Sequence, residues 1–102
     1  MKEEPFGPLV PMLSFKNFDE VIERANKNDL GLCSYICTNS MDQAHRASEL
    51  METGTVAVNT GVVALAEAPF GGIKQTGYGR EGGSTAIKDY LNIKYTHLGL
   101  KG

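Results

Sequence analysis

A glycine-rich stretch, residues 69–83, constrains the fold of this chain more than any other feature. Six of its fifteen residues are glycine, half of the 12 glycines in the chain. Such a run cannot be a helix or a central strand, because glycine loses the most backbone entropy on ordering and has no side chain to pack. Unlike a Gly/Ser linker, it also carries side chains that can hold a loop in place: Phe70, Ile73, Lys74, Tyr78, Arg80 and Glu81. We therefore predict a fixed loop whose backbone needs positive φ or a close approach.

Length and charge limit the classes of function. A chain of 102 residues is one domain at most. The net charge of −2 gives no electrostatic reason to expect nucleic acid or an anionic membrane as a partner, and we predict neither. No apolar run approaches the roughly 20 residues of a membrane span, and the N-terminus does not resemble a signal peptide. The expected location is the cytoplasm.

The two cysteines, Cys33 and Cys37, are predicted to be buried apolar side chains. In a strand they would share one face but lie about 13 Å apart, too far for a disulfide. A catalytic thiol is the less favoured interpretation, because no sequence neighbour would lower its pKa. No metal site is predicted, because two cysteines need further ligands and His45 and His97 are distant from them in sequence.

Local patterns predict four strands and three helices. Residues 9–15 favour a short strand made irregular by Pro11, and residues 32–38 and 55–58 favour two more. Asn17 with Glu20, and Ser40 with Gln43, are typical of capping boxes that begin two helices. Gly54 is expected at the C′ position of the second helix.

The rest of the chain completes an alternating order. A long loop over 60–83 is followed by a predicted helix at 84–91 and a last strand at 93–98. The order β-α-β-α-β-loop-α-β predicts an α/β fold with mostly parallel strands. Three short helices can hardly cover both faces of such a sheet, so we expect this chain to be part of something larger.

No complete catalytic constellation is visible in the residues alone. Gly77, Gly79 and Gly82 match the spacing of the dinucleotide fingerprint. That fingerprint needs a strand directly before it and an acidic residue about twenty positions after it, and neither is present. We reject it as a phosphate-binding loop.

Longer segments resemble a known family along almost the whole chain. They lie in the order and spacing of the C-terminal fifth of NAD(P)-dependent aldehyde dehydrogenases: 4–8, 25–26 with 31–32, 54–59, 69–74 and 77–81. Within that superfamily, three segments look most like succinate-semialdehyde dehydrogenases: 59–61, 68–75 and the ending 89–100. The resemblance implies the C-terminal part of a catalytic domain over 1–102, with an oligomerisation strand at 92–100 that pairs with another subunit.

The resemblance also assigns roles to residues. Glu4 would accept hydrogen bonds from the nicotinamide ribose hydroxyls, and Phe6 would pack near the nicotinamide ring. Phe70 would line the substrate tunnel. Lys74 and Arg80 are expected to brace the loop rather than to react.

Two departures from the family pattern change what we expect. Succinate-semialdehyde dehydrogenases place a serine in the tunnel loop to hold the distal carboxylate, whereas this chain has Ala64 there. The catalytic cysteine, the general-base glutamate and the dinucleotide-binding domain of the family would lie upstream of Met1.

The lone chain is therefore expected to contain no catalytic residue, to bind NAD or NADP weakly or not at all, and to be inactive. In the intact enzyme, an aldehyde would be oxidised to the carboxylic acid with NAD or NADP. The alternative is a non-enzymatic truncated module that self-associates or pairs with a full-length relative.

Overall fold

A computed structural model describes residues 5–100 and 102. The predicted site residue Glu4 lies outside these residues. The regular elements, in chain order, are α1 (Phe18–Asn26), β1 (Leu30–Gly31), β2 (Cys33–Ile36), α2 (Met41–Leu50), β3 (Thr55–Val58), β4 (Ile73–Lys74) and a 3₁₀ helix (Ala86–Tyr90).

The centre of the fold is a β-α-β unit. Strands β2 and β3 pair in parallel from Cys33 opposite Thr55 to Ile36 opposite Val58, and α2 makes the crossover between them. Ala47 on α2 and Ala57 on β3 are 3% and 5% exposed, the most deeply buried apolar side chains described. The predicted α/β character is confirmed here, because the parallel pair needs a helical crossover and has one.

Elsewhere the topology differs from the prediction of one mostly parallel sheet. Strands β1 and β4 form a second, antiparallel pair, with Leu30 opposite Lys74 and Gly31 opposite Ile73. β4 lies inside the stretch predicted to be a loop. Its pairing depends on a partner more than forty residues earlier, which local sequence patterns do not reveal.

Two predicted strands are not formed within this chain. Residues 9–15 and 93–98 have no regular secondary structure, and their large apolar side chains are exposed. A strand is held by hydrogen bonds to a neighbouring backbone, and neither segment has such a neighbour in the described part of the chain.

Both predicted helix N-caps are confirmed. The Asn17 side chain accepts a hydrogen bond from the Glu20 amide at 2.9 Å, and Ser40 accepts one from the Gln43 amide at 3.3 Å. The reciprocal half of each capping box differs, because the Glu20 carboxylate accepts from the amide of Lys16 rather than of Asn17. Gln43 likewise accepts from the Thr38 hydroxyl.

The helix ends were predicted less well. Helix α2 ends at Leu50, and Met51 after it is already extended, so Gly54 is not its C′ residue. Gly54 instead permits a close approach, since a Cβ there would overlap the carbonyl oxygen of Gly71. The third helix is a 3₁₀ helix, shorter than the predicted range of 84–91.

The cysteine prediction was half wrong. Both thiols are free, and Cys33 on β2 is half-buried, but Cys37 lies just beyond the strand and is exposed. Among the described residues, no helix has the length and apolar character needed to cross a membrane.

Much of the apolar surface stays open. The accessible surface is 8960 Å², whereas a compact protein of this mass exposes about 5,600 Å². The radius of gyration is 19.2 Å, against about 13 Å for a compact chain of this length.

Candidate functional site

The glycine-rich stretch folds into a defined structure, which we call the loop hairpin, residues 70–81. At its base, Phe70 and Glu81 form an antiparallel bridge, with the amide of each donating to the carbonyl of the other at 2.7 and 2.8 Å. Four glycines within 77–83 have positive φ. The prediction of a fixed loop is confirmed, because the loop has positive φ at these glycines and backbone hydrogen bonds join its two ends.

The tip of the loop hairpin is attached to the turn that follows α1. The amide of Gln75 donates to the carbonyl of Asp29 at 3.0 Å, and the amide of Gly31 donates to the Thr76 hydroxyl at 2.8 Å. Together with the β1–β4 pairing, these contacts hold the tip at a fixed distance from the β-α-β unit.

Lys74 makes the most connected side-chain contact at this tip. Its Nζ donates to the carbonyls of Asn26 and Asn28, at 2.8 and 3.0 Å, and pairs with the Glu52 carboxylate at 2.6 Å. The Asn26 carbonyl ends α1, where the helix dipole favours a cation, and the Asn28 carbonyl lies in the turn after it. The backbone of Lys74 has φ of 56°, in the left-handed region. The contacts are those of a brace, as expected from the sequence.

Arg80 braces the base of the loop hairpin in the same way. Its Nη1 donates to the carbonyls of Gly72 and Gly79, and its backbone amide donates to the carboxylate of Asp89 on the 3₁₀ helix. Phe70, predicted to line a substrate tunnel, is half-buried within this framework.

A cavity of about 580 Å³ opens beside Lys74, lined by Asn26, Asn28, Asp29, Lys74, Gln75, Gly77 and Tyr78. A lysine in a cavity suggests an anion site, but an ammonium group has only three donors. All three are directed to Asn26, Asn28 and Glu52. The cavity therefore offers no free cation to an anionic ligand.

Ala64 lies in a loop that starts at Asn59, whose side chain is hydrogen-bonded to the backbone of Thr38. The Asn59 amide group donates to the carbonyl of Thr38 at 2.8 Å and accepts from its amide at 3.0 Å, and φ of Asn59 is 54°. Further along, the amide of Gly83 donates to the carbonyl of Ala66. Ala64 is exposed between these two anchors, and residues 61–66 carry no hydrogen-bonding side chain.

Sequence reasoning missed two asparagines that organise this region. Asn26 bonds the backbone on both sides of Met51: its Nδ2 donates to the Leu50 carbonyl, and its Oδ1 accepts from the Glu52 amide. The Asn59 side chain bonds both the amide and the carbonyl of Thr38. For Asn59 the signal was its place at a strand end, since asparagine tolerates left-handed backbone. For Asn26 there was no local signal.

Of the two predicted cofactor residues, only Phe6 lies within the described part of the chain. Phe6 is 98% exposed, so its ring has almost no contact within the described part of the chain. Within that part, there is no group of three or more His, Cys, Asp or Glu side chains that could hold a metal ion. Cys33 and Cys37 belong to the β2 region and not to the loops around Phe70.

Comparisons with known proteins assign this geometry to a family. Residues 1–96 match the model of the aldehyde dehydrogenase family. The chain is 50% identical over 97 residues to a 3-sulfolactaldehyde dehydrogenase of Pseudomonas putida, covering 95% of this chain and 20% of that protein. It is 46% identical over 99 residues to an NADP(+) succinate-semialdehyde dehydrogenase of Escherichia coli strain K12, covering 97% and 20%.

Solved structures agree. A succinate-semialdehyde dehydrogenase from Burkholderia pseudomallei superposes with a TM-score of 0.88 at 43% identity, over 93% of this chain and 20% of that one. An NADP-dependent enzyme of E. coli gives a TM-score of 0.90 at 46% identity, over 97% and 21%. The chain thus spans about a fifth of the length of the relatives it matches.

Proposed function

Because this chain belongs to the aldehyde dehydrogenase family, we propose that it is the C-terminal part of an oxidoreductase that converts an aldehyde to the carboxylic acid with NAD or NADP. The observation that carries the proposal is the match of the whole α/β framework, loop hairpin included, at 46% identity and a TM-score of 0.90. Similar proteins from Escherichia coli and Arabidopsis thaliana are named succinate-semialdehyde dehydrogenases, which supports succinate semialdehyde as the substrate.

In this proposal the chain contributes residues that line the aldehyde site rather than the reacting groups. Phe70 forms part of the aldehyde site, and two backbone hydrogen bonds to Glu81 fix its backbone at the base of the loop hairpin. An aromatic wall suits the carbon chain of an aldehyde. We expect the nucleophile and the general base to come from outside these 102 residues, because Cys33 lies on β2 and Cys37 just after it, in elements other than the loop hairpin.

The residues present fit only one end of a dinucleotide. The exposed ring of Phe6 is available to pack on a nicotinamide, and Glu4 would accept the ribose hydroxyls. Gly77, Gly79 and Gly82 do not open a helix, so they lack the amide donors that a pyrophosphate needs. When bound, the dinucleotide supplies a hydride acceptor. The lone chain holds it weakly or not at all.

A hybrid enzyme tests the proposal. In it, this chain replaces the matching segment of the E. coli succinate-semialdehyde dehydrogenase. We expect the hybrid to reduce NADP with succinate semialdehyde, and the purified chain alone to show no turnover. A hybrid that elutes and melts like its parent but is inactive would contradict the proposal. Turnover by the lone chain would contradict the assignment of the reacting groups.

The exposed apolar segments favour a second function, that of a non-enzymatic module. Residues 92–100, proposed as an oligomerisation strand, expose Ile93, Tyr95 and Leu98. As a module, the chain would self-associate or pair with a full-length relative through this segment. Size-exclusion chromatography of the chain, alone and mixed with the E. coli enzyme, distinguishes the two partners. A monomer in both samples would remove this alternative.

A further inference from the structure

Three chain segments that are distant in sequence meet at one side chain, Lys74. The end of α1 and the turn after it supply the carbonyls of Asn26 and Asn28, and the segment after α2 supplies the carboxylate of Glu52. Asn26 joins these two segments directly by its bonds on either side of Met51. Lys74 is therefore the link between the helical layer and the loop hairpin.

The link has features that a simple surface ion pair lacks. The Lys74 side chain is only 24% exposed, and two of its three donors go to backbone carbonyls that cannot rotate away. Its left-handed backbone directs the chain into the turn at the tip. A lysine in that conformation is strained relative to ordinary backbone, so the side-chain contacts must offset the strain.

The tip and the base of the loop hairpin are mechanically connected. From Lys74 the chain returns through Gly72, whose carbonyl accepts from Arg80, to the Phe70–Glu81 bridge at the base. The Gly71 carbonyl also packs directly on Gly54, with no room for a Cβ. Ile73, Gly72 and Gly71 are thus each paired, hydrogen-bonded or in close contact, which makes a continuous path of contacts from the tip to Phe70.

We propose that Lys74 is a positioning residue: by fixing the tip of the loop hairpin to the ends of the two helices, it sets the position of Phe70 in the aldehyde site. The inference rests on the proposed function for the role of Phe70. The mechanical part, from Lys74 to the Phe70–Glu81 bridge, stands on the contacts alone.

Two readouts on Lys74→Met test the proposal. In the hybrid enzyme, we expect the aldehyde KM to rise about tenfold, while kcat stays within about twofold of the unsubstituted value. A displaced Phe70 side chain weakens aldehyde binding more than it slows the chemical step. Amide hydrogen exchange at Phe70 and Glu81 should accelerate about tenfold, since the base opens more often. Lys74→Gly relieves the left-handed backbone and removes the side chain, so it should give the same two changes even if Lys74→Met folds poorly.

The controls separate positioning from general stability. Lys27→Met removes a lysine that is 68% exposed and whose one ion pair in the described part of the chain is with Glu23, and it should change neither readout. Faster exchange confined to Gln75 and Thr76, with Phe70 and Glu81 unchanged, would overturn the inference. So would an unchanged aldehyde KM in an active hybrid. If the unsubstituted hybrid is inactive, the proposed function fails, while the exchange data still decide the mechanical link.

Discussion

Asn59 shows how much structure one side chain can specify. It ends β3 in a left-handed conformation, with φ of 54°, and its amide group continues the sheet by bonding both backbone groups of Thr38. The amide thus replaces the next pair of residues in a parallel ladder. It also fixes the direction in which the loop toward Ala64 leaves the sheet.

Substitution of Asn59 should separate backbone conformation from hydrogen bonding. We expect melting temperatures of the hybrid enzyme to fall in the order wild type, Asn59→Gly, Asn59→Ala. Both variants lose two hydrogen bonds, and alanine adds a left-handed penalty of about 1 kcal/mol. Equal melting temperatures for the two variants would show that the loop does not require the left-handed conformation.

Ala64 is a second case at the scale of one residue, because one hydroxyl distinguishes it from the serine that the family resemblance implies at this position. In the hybrid enzyme, Ala64→Ser should lower the KM for succinate semialdehyde about tenfold and leave the KM for butanal unchanged. The reason is that a hydrogen bond to a charged group contributes about 1.5–3 kcal/mol. Ala66→Ser, two residues on, is the matched control. An equal gain for butanal would mean that the hydroxyl does not contact the carboxylate.

At the scale of elements, the success of sequence reasoning followed the range of the interactions involved. The N-caps of α1 and α2 were predicted because Asn17 and Ser40 act on amides three residues away. The parallel strands β2 and β3 followed from their apolar patterns. β4 was missed because it pairs with the distant β1. Residues 9–15 and 93–98 were predicted as strands, although among residues 5–100 and 102 no other strand pairs with them.

The same distinction applies to the candidate site. The fixed loop around Phe70 was predicted from its glycines and its anchoring side chains, and the bracing by Lys74 and Arg80 agrees with the contacts. The joining of Asn26 to Leu50 and Glu52 could not be predicted, because it depends on how two helices end next to each other.

Helix α1 should respond to acid at its first turn. The amide of Lys16 bonds the Glu20 carboxylate and Arg24 lies beside it, so the pKa of Glu20 is lowered from 4.5. A hydrogen bond from the Lys27 side chain, together with its charge, lowers the pKa of Glu23. A lowered carboxylate pKa stabilises the fold above the unfolded pKa, and that contribution is lost as the pH falls through the lower, folded value.

We therefore expect the Lys16 amide to exchange faster as the pH falls below 4.5, after correction for intrinsic rates. Amide exchange followed by NMR on the chain measures this, with Glu20→Gln as the control that removes the dependence. A Lys16 amide that titrates identically in Glu20→Gln would contradict the assigned contact.

The contact between Gly54 and Gly71 makes a sharper test of packing between elements. Gly54→Ala should destabilise the hybrid enzyme by more than about 3 kcal/mol, because the new Cβ overlaps a backbone carbonyl that cannot move alone. Gly61→Ala adds the same methyl group in open space and should stay within about 0.5 kcal/mol. Equilibrium urea unfolding compares them, and similar losses for the two would contradict the close approach.

At the scale of the whole molecule, the excess of exposed surface is the dominant property. The chain exposes 8960 Å², roughly 3,400 Å² more than a compact protein of its mass. A standard protein interface covers only about 800 Å² of each partner. Association with one more copy would therefore leave most of this surface open, which agrees with a place in a larger catalytic body.

The lone chain should accordingly associate in a concentration-dependent way and bind hydrophobic dyes. Ile93→Lys should reduce the association, because it removes an exposed apolar side chain from the proposed oligomerisation strand and adds repulsion. Thr96→Lys adds the same charge without removing an apolar group, so its effect should be smaller. Sedimentation velocity over a range of concentrations measures both, and equal effects would place the contact elsewhere.

The crossover between β2 and β3 has a consequence for the order of folding. This unit joins strands that are close in sequence, with α2 alone between them, so its loop-closure entropy is small. It is the part of the molecule that can assemble first and without help. We expect the loop hairpin to dock afterwards, and the segments at 5–15 and 91–100, which have no regular secondary structure, to become ordered last.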